Sequence, residues 1–231
     1  QNTRVAARMM PPPEIPLAKR GDANAWVDRG SILLNKGLLD AAFEHYNRAV
    51  GLDPKLTRAY TNRGIVRRLW GDFRGAHKDH SAALAIDPDF PWALINRAIS
   101  LRSMEAYEEA LVDLNHIIGL PNPPMLANAY RSRSRVRARL GDIDGAQSDL
   151  DMCVELQPAN PSATIDLAKL AMTRGNLARA MDHMNRAVQM APMNSIGRVQ
   201  RARLLRCRGD VNAALADLDH AIASTPDATD L

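Results

Sequence analysis

The stretch Tyr60–Pro88, YTNRGIVRRLWGDFRGAHKDHSAALAIDP, decides the reading of the whole chain. It runs aromatic, two variable residues, Arg-Gly, then Gly-Asp, a small residue, Ala-Leu and finally Asp-Pro. The same template recurs on either side. Gly37, Gly71, Gly141, Gly175 and Gly209 hold one post, and Pro54, Pro88, Pro158, Pro192 and Pro226 hold another. Pro54 and Pro88 lie 34 residues apart, as do Pro158, Pro192 and Pro226. Ala42, Ala76, Ala110, Ala146, Ala180 and Ala214 complete a register of six copies: 23–56, 57–90, 91–126, 127–160, 161–194 and 195–228. A period in the thirties means stacked two-helix units, because one such unit cannot bury its apolar face alone. The predicted fold is all-α, six helix-turn-helix repeats stacked as an α-solenoid.

Within each copy the spacing predicts a helix over positions 2–14, a tight turn, and a second helix over positions 18–31. Gly supplies a left-handed cap for the first helix, and the Pro pair stops the second. Positions 4, 8, 20, 24 and 27 form the seam; in repeat two they are Tyr60, Gly64, Ala76, His80 and Ala83. Small residues at Gly64 and Ala76 let the two axes approach closely. The run Gly119–Pro124 makes repeat three two residues longer, and its prolines predict a stiff loop.

The ends read differently. Residues 1–22 contain MMPPPEIP, which cannot be helical through its prolines and is expected to be an extended arm; 229–231 is a short tail. The sequence starts at Gln1, consistent with a removed signal or a fragment, so cytoplasmic and exported locations both stay open. Cys153 and Cys207 fall two repeats apart, too far for a disulfide, so both should be free thiols. No apolar run is long enough to cross a bilayer. The formal charge of +4 is too small to argue by itself for nucleic acid.

The period, the Gly-Asp turn, the position-20 Ala and the closing Pro resemble the tetratricopeptide repeat family, over all but the two ends of the chain. One departure is position 7, usually Leu in that family, which is Arg29, Arg63, Arg97, Arg133 and Arg201 here, with Leu167 the exception. The resemblance implies a right-handed solenoid whose first helices line a concave face through positions 2, 5, 6, 9, 12 and 13. Position 6 is polar in every copy: Asp28, Asn62, Asn96, Ser132, Asp166 and Gln200. Arg131, Arg135 and Arg139 lie four apart on that face, joined by Arg58, Arg68, Arg102, Lys169, Arg203 and Arg206. These nine cations against Asp28 and Asp166 concentrate +7 on one surface and leave −3 elsewhere. Clustered Arg in a concavity attracts anions and forks onto carboxylates. Trp92 adds one large aromatic near the middle.

The groove set is therefore Asn62, Arg68, Trp92, Asn96, Arg102, Arg131, Ser132, Arg135, Arg139, Lys169, Arg203 and Arg206. The family's carboxylate clamp for chaperone tails is not matched, since Val27, Ser31, Trp92 and Asn96 stand at its posts. Family members generally end with an extra solvating helix, and none follows the segment carrying Leu215, Leu218 and Ile222, so a homodimer through that repeat is a second expectation.

Position 23 is acidic in four of the five repeats with Arg at position 7, giving the expected ion pairs Arg63 with Asp79, Arg97 with Asp113, Arg133 with Asp149 and Arg201 with Asp217; repeat one keeps Arg29 but has His45 at the acidic post. Repeat five lacks both partners, having Leu167 and His183. No phosphate-cradling Gly loop and no HExxH occurs; His77 and His80 lie one turn apart without a third ligand, so no cofactor or metal is expected. Met172, Met181, Met184, Met190 and Met193 crowd repeat five as adaptable packing. The expected function is a non-catalytic scaffold holding an acidic protein or peptide segment in its groove, with no membrane partner. The alternatives are nucleic acid on the same Arg stripe, for which stacking aromatics are scarce, and self-assembly through the last repeat.

Overall fold

The computed structural model describes residues 21–224. The expected arm (apart from Gly21 and Asp22) and the tail lie outside the described residues. Among these there are twelve helices and no strand: α1 Ala23–Asn35, α2 Leu39–Leu52, α3 Thr57–Leu69, α4 Phe73–Ile86, α5 Pro91–Ser103, α6 Tyr107–Gly119, α7 Leu126–Arg139, α8 Ile143–Leu156, α9 Pro161–Thr173, α10 Leu177–Met190, α11 Ser195–Arg208 and α12 Val211–Ala223. The register of six helix-turn-helix repeats accounts for all twelve, though most begin and end one residue ahead of the predicted bounds.

The chain forms two compact units, one ending at Ala106 and one starting at Tyr107. In the first, the hairpins α1–α2 and α3–α4 stack in sequence and α5 follows, with α1 beside α3 and α3 beside α5. In the second, α6 packs on α7, and the hairpins α7–α8, α9–α10 and α11–α12 stack in turn, with α9 beside α11. Each unit is thus an all-α solenoid segment whose leading helices lie next to one another.

The Gly-Asp dipeptide makes the hairpin turn. Gly71 adopts φ 83° and closes α3, while Asp72 N–H reaches back to the Arg67 carbonyl at 2.9 Å. The Asp72 carboxylate then accepts from Gly75 N–H at 2.8 Å and opens α4. Asp142 does the same for Gly145 at 2.9 Å. One residue ends a helix and the next starts another. Repeat three has no Gly at this post: Glu105 takes the left-handed conformation instead, at φ 62°.

The seam is close because glycine meets a ring. A Cβ on Gly30 would lie 2.6 Å from Tyr46 Cε1, and one on Gly64 would lie 2.5 Å from His80 Cε1. Tyr46 and His80 are fully buried as a result. Small residues here make room for a large side chain from the partner helix as well as for its backbone. Beyond the seam, Ile165, Ala168, Ala180, Met181, Met184 and Leu204 form one core cluster of the second unit. Two of the repeat-five methionines therefore pack inside, while Met193 is exposed.

Candidate functional site

Three Arg–Asp pairs share one geometry. Arg63 grips Asp79 with two parallel bonds, Nε to Oδ2 at 3.0 Å and Nη2 to Oδ1 at 2.7 Å. Arg133 grips Asp149 at 3.0 and 2.7 Å, and Arg201 grips Asp217 at 2.7 and 2.6 Å. Each fork ties the two helices of one hairpin. The third nitrogen then reaches the preceding repeat: Arg63 Nη1 donates to Asn47 at 3.1 Å, Arg133 Nη1 to Asn115 at 2.8 Å and Arg201 Nη1 to Asn185 at 3.0 Å. A single guanidinium thus fixes both hairpin and stacking.

These asparagines all occupy position 25, and sequence reasoning missed them although the recurrence was there to see. Arg67 and Arg137, one turn further on, add second bonds to Asp79 and Asp149 at 3.0 Å each. Arg97 donates to Ser81 at 3.3 Å, again a position-25 residue of the preceding repeat. Asp113 is buried on α6. In repeat five Leu167 is buried where the others carry Arg.

The leading helices of the second unit hold the denser cluster of cations. Asp166 on α9 is 6% exposed, and three cations converge on it. Arg135 Nη2 and Lys169 Nζ approach its carboxylate at 2.7 and 3.4 Å, and Arg131 Nε lies 3.5 Å away. Arg131 and Arg135 come from α7, so this contact spans neighbouring repeats. Burial, then repulsion from Arg135, pushes the Arg131 guanidinium below its ordinary value, against the pull of Asp166. Cys153 lies close by, buried, its thiol pushed up chiefly by burial. Three positive groups share one negative group here. Arg139 on α7 and Arg203 and Arg206 on α11 are exposed, and Ser132 on α7 is half-buried.

This corrects one expectation: Arg131 and Arg135 are not an open stripe, because a carboxylate on the next repeat already engages them. The spacing of 31 residues between Arg135 and Asp166 pairs them only once repeats are stacked.

The leading helices of the first unit carry fewer of the predicted groove cations: Arg58, Arg68 and Arg102. Asp28 accepts from Arg58 at 2.9 Å in an exposed pair. Asn62 Nδ2 donates to Ser31 Oγ at 3.3 Å, and Ser31 also accepts from the Tyr46 hydroxyl. Arg68 is half-buried, and desolvation lowers its pKa. Trp92 is 49% exposed. Arg102 is half-buried. Asn96 departs from expectation. It is 7% exposed and donates to the Trp92 carbonyl at 2.8 Å, so its amide serves its own helix and is not presented as a ligand contact.

Among the described residues no group of three or more His, Cys, Asp or Glu side chains could hold a metal ion. His80 has no metal-like company; both its ring nitrogens are buried without a hydrogen-bond partner. No described helix is long and apolar enough to cross a membrane.

Tetratricopeptide repeat profiles match residues 23–56 and 131–195. Among solved structures, Pseudomonas aeruginosa PilF is similar at 20% identity and a TM-score of 0.69, over 86% of this chain and 90% of that one. PilW, described as a widely conserved type IV pilus biogenesis factor, is similar at 19% identity and a TM-score of 0.75, over 84% and 90%. TTC0263, a thermophilic TPR protein of Thermus thermophilus, is similar at 23% identity and a TM-score of 0.71, over 79% and 98%. No curated protein sequence matches the chain. The solved structures share the fold; repeat register, hairpin geometry and the two profile matches agree, and the chain belongs to the tetratricopeptide repeat family.

Proposed function

We propose that this chain is a non-catalytic protein-interaction scaffold that takes an acidic segment of a partner on the leading-helix face of its second unit. The observation that supports this reading is the set of three cations around Asp166. One buried carboxylate neutralises one of them, and two positive charges are left over. A carboxylate from a ligand is bonded most strongly by such guanidinium forks, and the surplus charge steers it there. Exposed Arg139, Arg203 and Arg206 on α7 and α11 extend the positive surface along the same kind of helix. The first unit is a separate candidate surface, on which we assign exposed Trp92, Asn62, Arg68 and Arg102 as contact residues. Fluorescence anisotropy with a Glu-rich peptide tests the reading. The triple variant Arg139→Glu/Arg203→Glu/Arg206→Glu should weaken binding at least tenfold, and unchanged affinity would remove the face from consideration.

A second reading is favoured by α12. Val211, Leu215 and Ile222 are 54, 53 and 73% exposed, and Leu218 is 37% exposed. Four such side chains on one helix suit a self-association surface. Sedimentation velocity should then show a dimer that Leu215→Glu/Ile222→Glu converts to monomer; a wild-type monomer at high concentration counts against it.

A further inference from the structure

Repeat six departs from its sister repeats on the side of the molecule that carries the Arg–Asp forks. In repeats two and four a tyrosine at position 4 covers the fork: the Arg63 guanidinium lies 5.4 Å from the Tyr60 ring centroid and that of Arg133 lies 5.5 Å from Tyr130. Position 11 there is a second arginine, Arg67 or Arg137, bonded to the same carboxylate. In repeat six the two posts are exchanged in character. Position 4 is Arg198 and position 11 is Leu205.

Repeat six also carries an open groove of about 470 Å³ among α10, α11 and α12, lined by Arg198, Arg201, Arg208, Asn185, Asp217 and His220, with Leu205 on its wall. Its arginines are unequally committed. Arg201 spends three nitrogens on Asp217 and Asn185. Arg198 gives Nε to the Pro192 carbonyl at 3.1 Å and makes only a long contact, 3.4 Å, with Asp217. Arg208 has one contact to Asp210 at 3.4 Å, with both side chains 46% exposed, a water-screened pair of little strength. Asp217 is the one buried carboxylate among the lining residues; with exposed Asp210 counted, three guanidinium groups face two carboxylates and the groove keeps a positive surplus.

We propose that this groove is a binding site for a dianionic phosphoryl group, carried either on a small organic phosphate or on a phosphorylated side chain. The positive surplus attracts an anion, the weak Arg208–Asp210 contact is easily exchanged for a stronger one, and guanidinium forks fit the tetrahedral oxygens of a phosphoryl group in pairs. Arg198 and Arg208 are the ligand cations. Arg201 forms the fixed wall between them, its orientation held by Asp217 and Asn185. The volume exceeds that of a bare phosphate, so the group would enter with the body that carries it, and Leu205 gives that body an apolar contact.

Isothermal titration of the full chain with phenyl phosphate and with a phosphoserine peptide tests this. At least one probe should bind saturably, at least tenfold tighter than benzoate or the unphosphorylated peptide. Arg198→Gln/Arg208→Gln should weaken that binding at least tenfold, and the exposed Arg208→Gln alone should weaken it severalfold. Arg179→Gln/Arg186→Gln removes the same charge elsewhere in the unit and should leave affinity unchanged. The most telling variant is Arg198→Tyr/Leu205→Arg, which keeps net charge but rebuilds the covered arrangement of repeats two and four; it should abolish binding. Every variant retains Arg201 and Asp217, and unfolding midpoints verify that each is folded. A peptide at least tenfold tighter than phenyl phosphate assigns the site to a phosphorylated segment, and equal affinities assign it to small phosphate esters. The proposal is overturned by absence of saturable binding to either probe, by equal loss in the Arg179/Arg186 control, or by retention in the charge-neutral rebuild.

Discussion

Replacing Asp149 by Ala should cost about 3–5 kcal/mol of stability. The carboxylate is 3% exposed and accepts from both Arg133 and Arg137, whose side chains are 14 and 26% exposed. Truncating it strands two partly desolvated guanidinium groups, and the Arg133 fork that ties α7 to α8 disappears with it. The chain itself supplies the comparison for the double change, because repeat five carries Leu167 and His183 at the same two posts. Arg133→Leu/Asp149→His copies that solution. It should be clearly more stable than Asp149→Ala, since no charge on the fork is left without its partner, although Arg137 still loses one bond. Urea unfolding near pH 8 measures both. Equal losses in the two variants would mean that the forks are incidental to stacking.

The second large effect is acid sensitivity from His80. Burial, followed by the nearby charges of Arg68 on α3, His77 on α4 and Arg97 on α5, pushes its pKa from 6.5 down to about 3. The folded ring is therefore neutral at pH 5, whereas the unfolded ring takes up a proton. A depressed histidine contributes its full share of stability above pH 6.5, and that share is lost as pH falls towards 3. Between pH 7.5 and 5 the loss from this one group is about 2 kcal/mol. His80→Leu places at position 24 the residue found there in Leu114, Leu150 and Leu218. Its stability should fall less over the same interval, by that difference. The lowered His183 has the same sign but is present in both proteins, so it cancels. Parallel pH profiles for the two chains would contradict a neutral buried ring. The ring packs directly on Gly64, where an added Cβ would lie 2.5 Å from His80 Cε1.

What the sequence disclosed and what it hid follow from the same periodicity. Gly, Ala and Pro posts recur because every hairpin needs the same cap, close approach and stop, so helices and turns could be read from one strand of text. The Arg and Asp of positions 7 and 23 are legible for a related reason: repeat five lacks both together. Contacts between repeats are harder to read. Asn47, Asn115 and Asn185 receive the third arginine nitrogen, and their recurrence alone did not say what they face. Asp166 is harder still, since nothing on α7 marks Arg131 and Arg135 for a carboxylate one repeat away. Asn96 looked like a ligand amide and instead bonds Trp92 behind it. Glu105 takes a left-handed turn that glycine fills elsewhere, and only the gap in the glycine series hinted at it.

In the proposed scaffold the cations around Asp166 accept a partner's carboxylate, and Asp166 fills that role in the free protein. The most direct measurement is the affinity of the Glu-rich peptide for Asp166→Asn, with helix content verified. Releasing Arg131, Arg135 and Lys169 from their internal partner should tighten binding roughly tenfold, the worth of about one charge-assisted hydrogen bond, and the gain should shrink in high salt. An affinity equal to or weaker than that of the wild type would contradict the account.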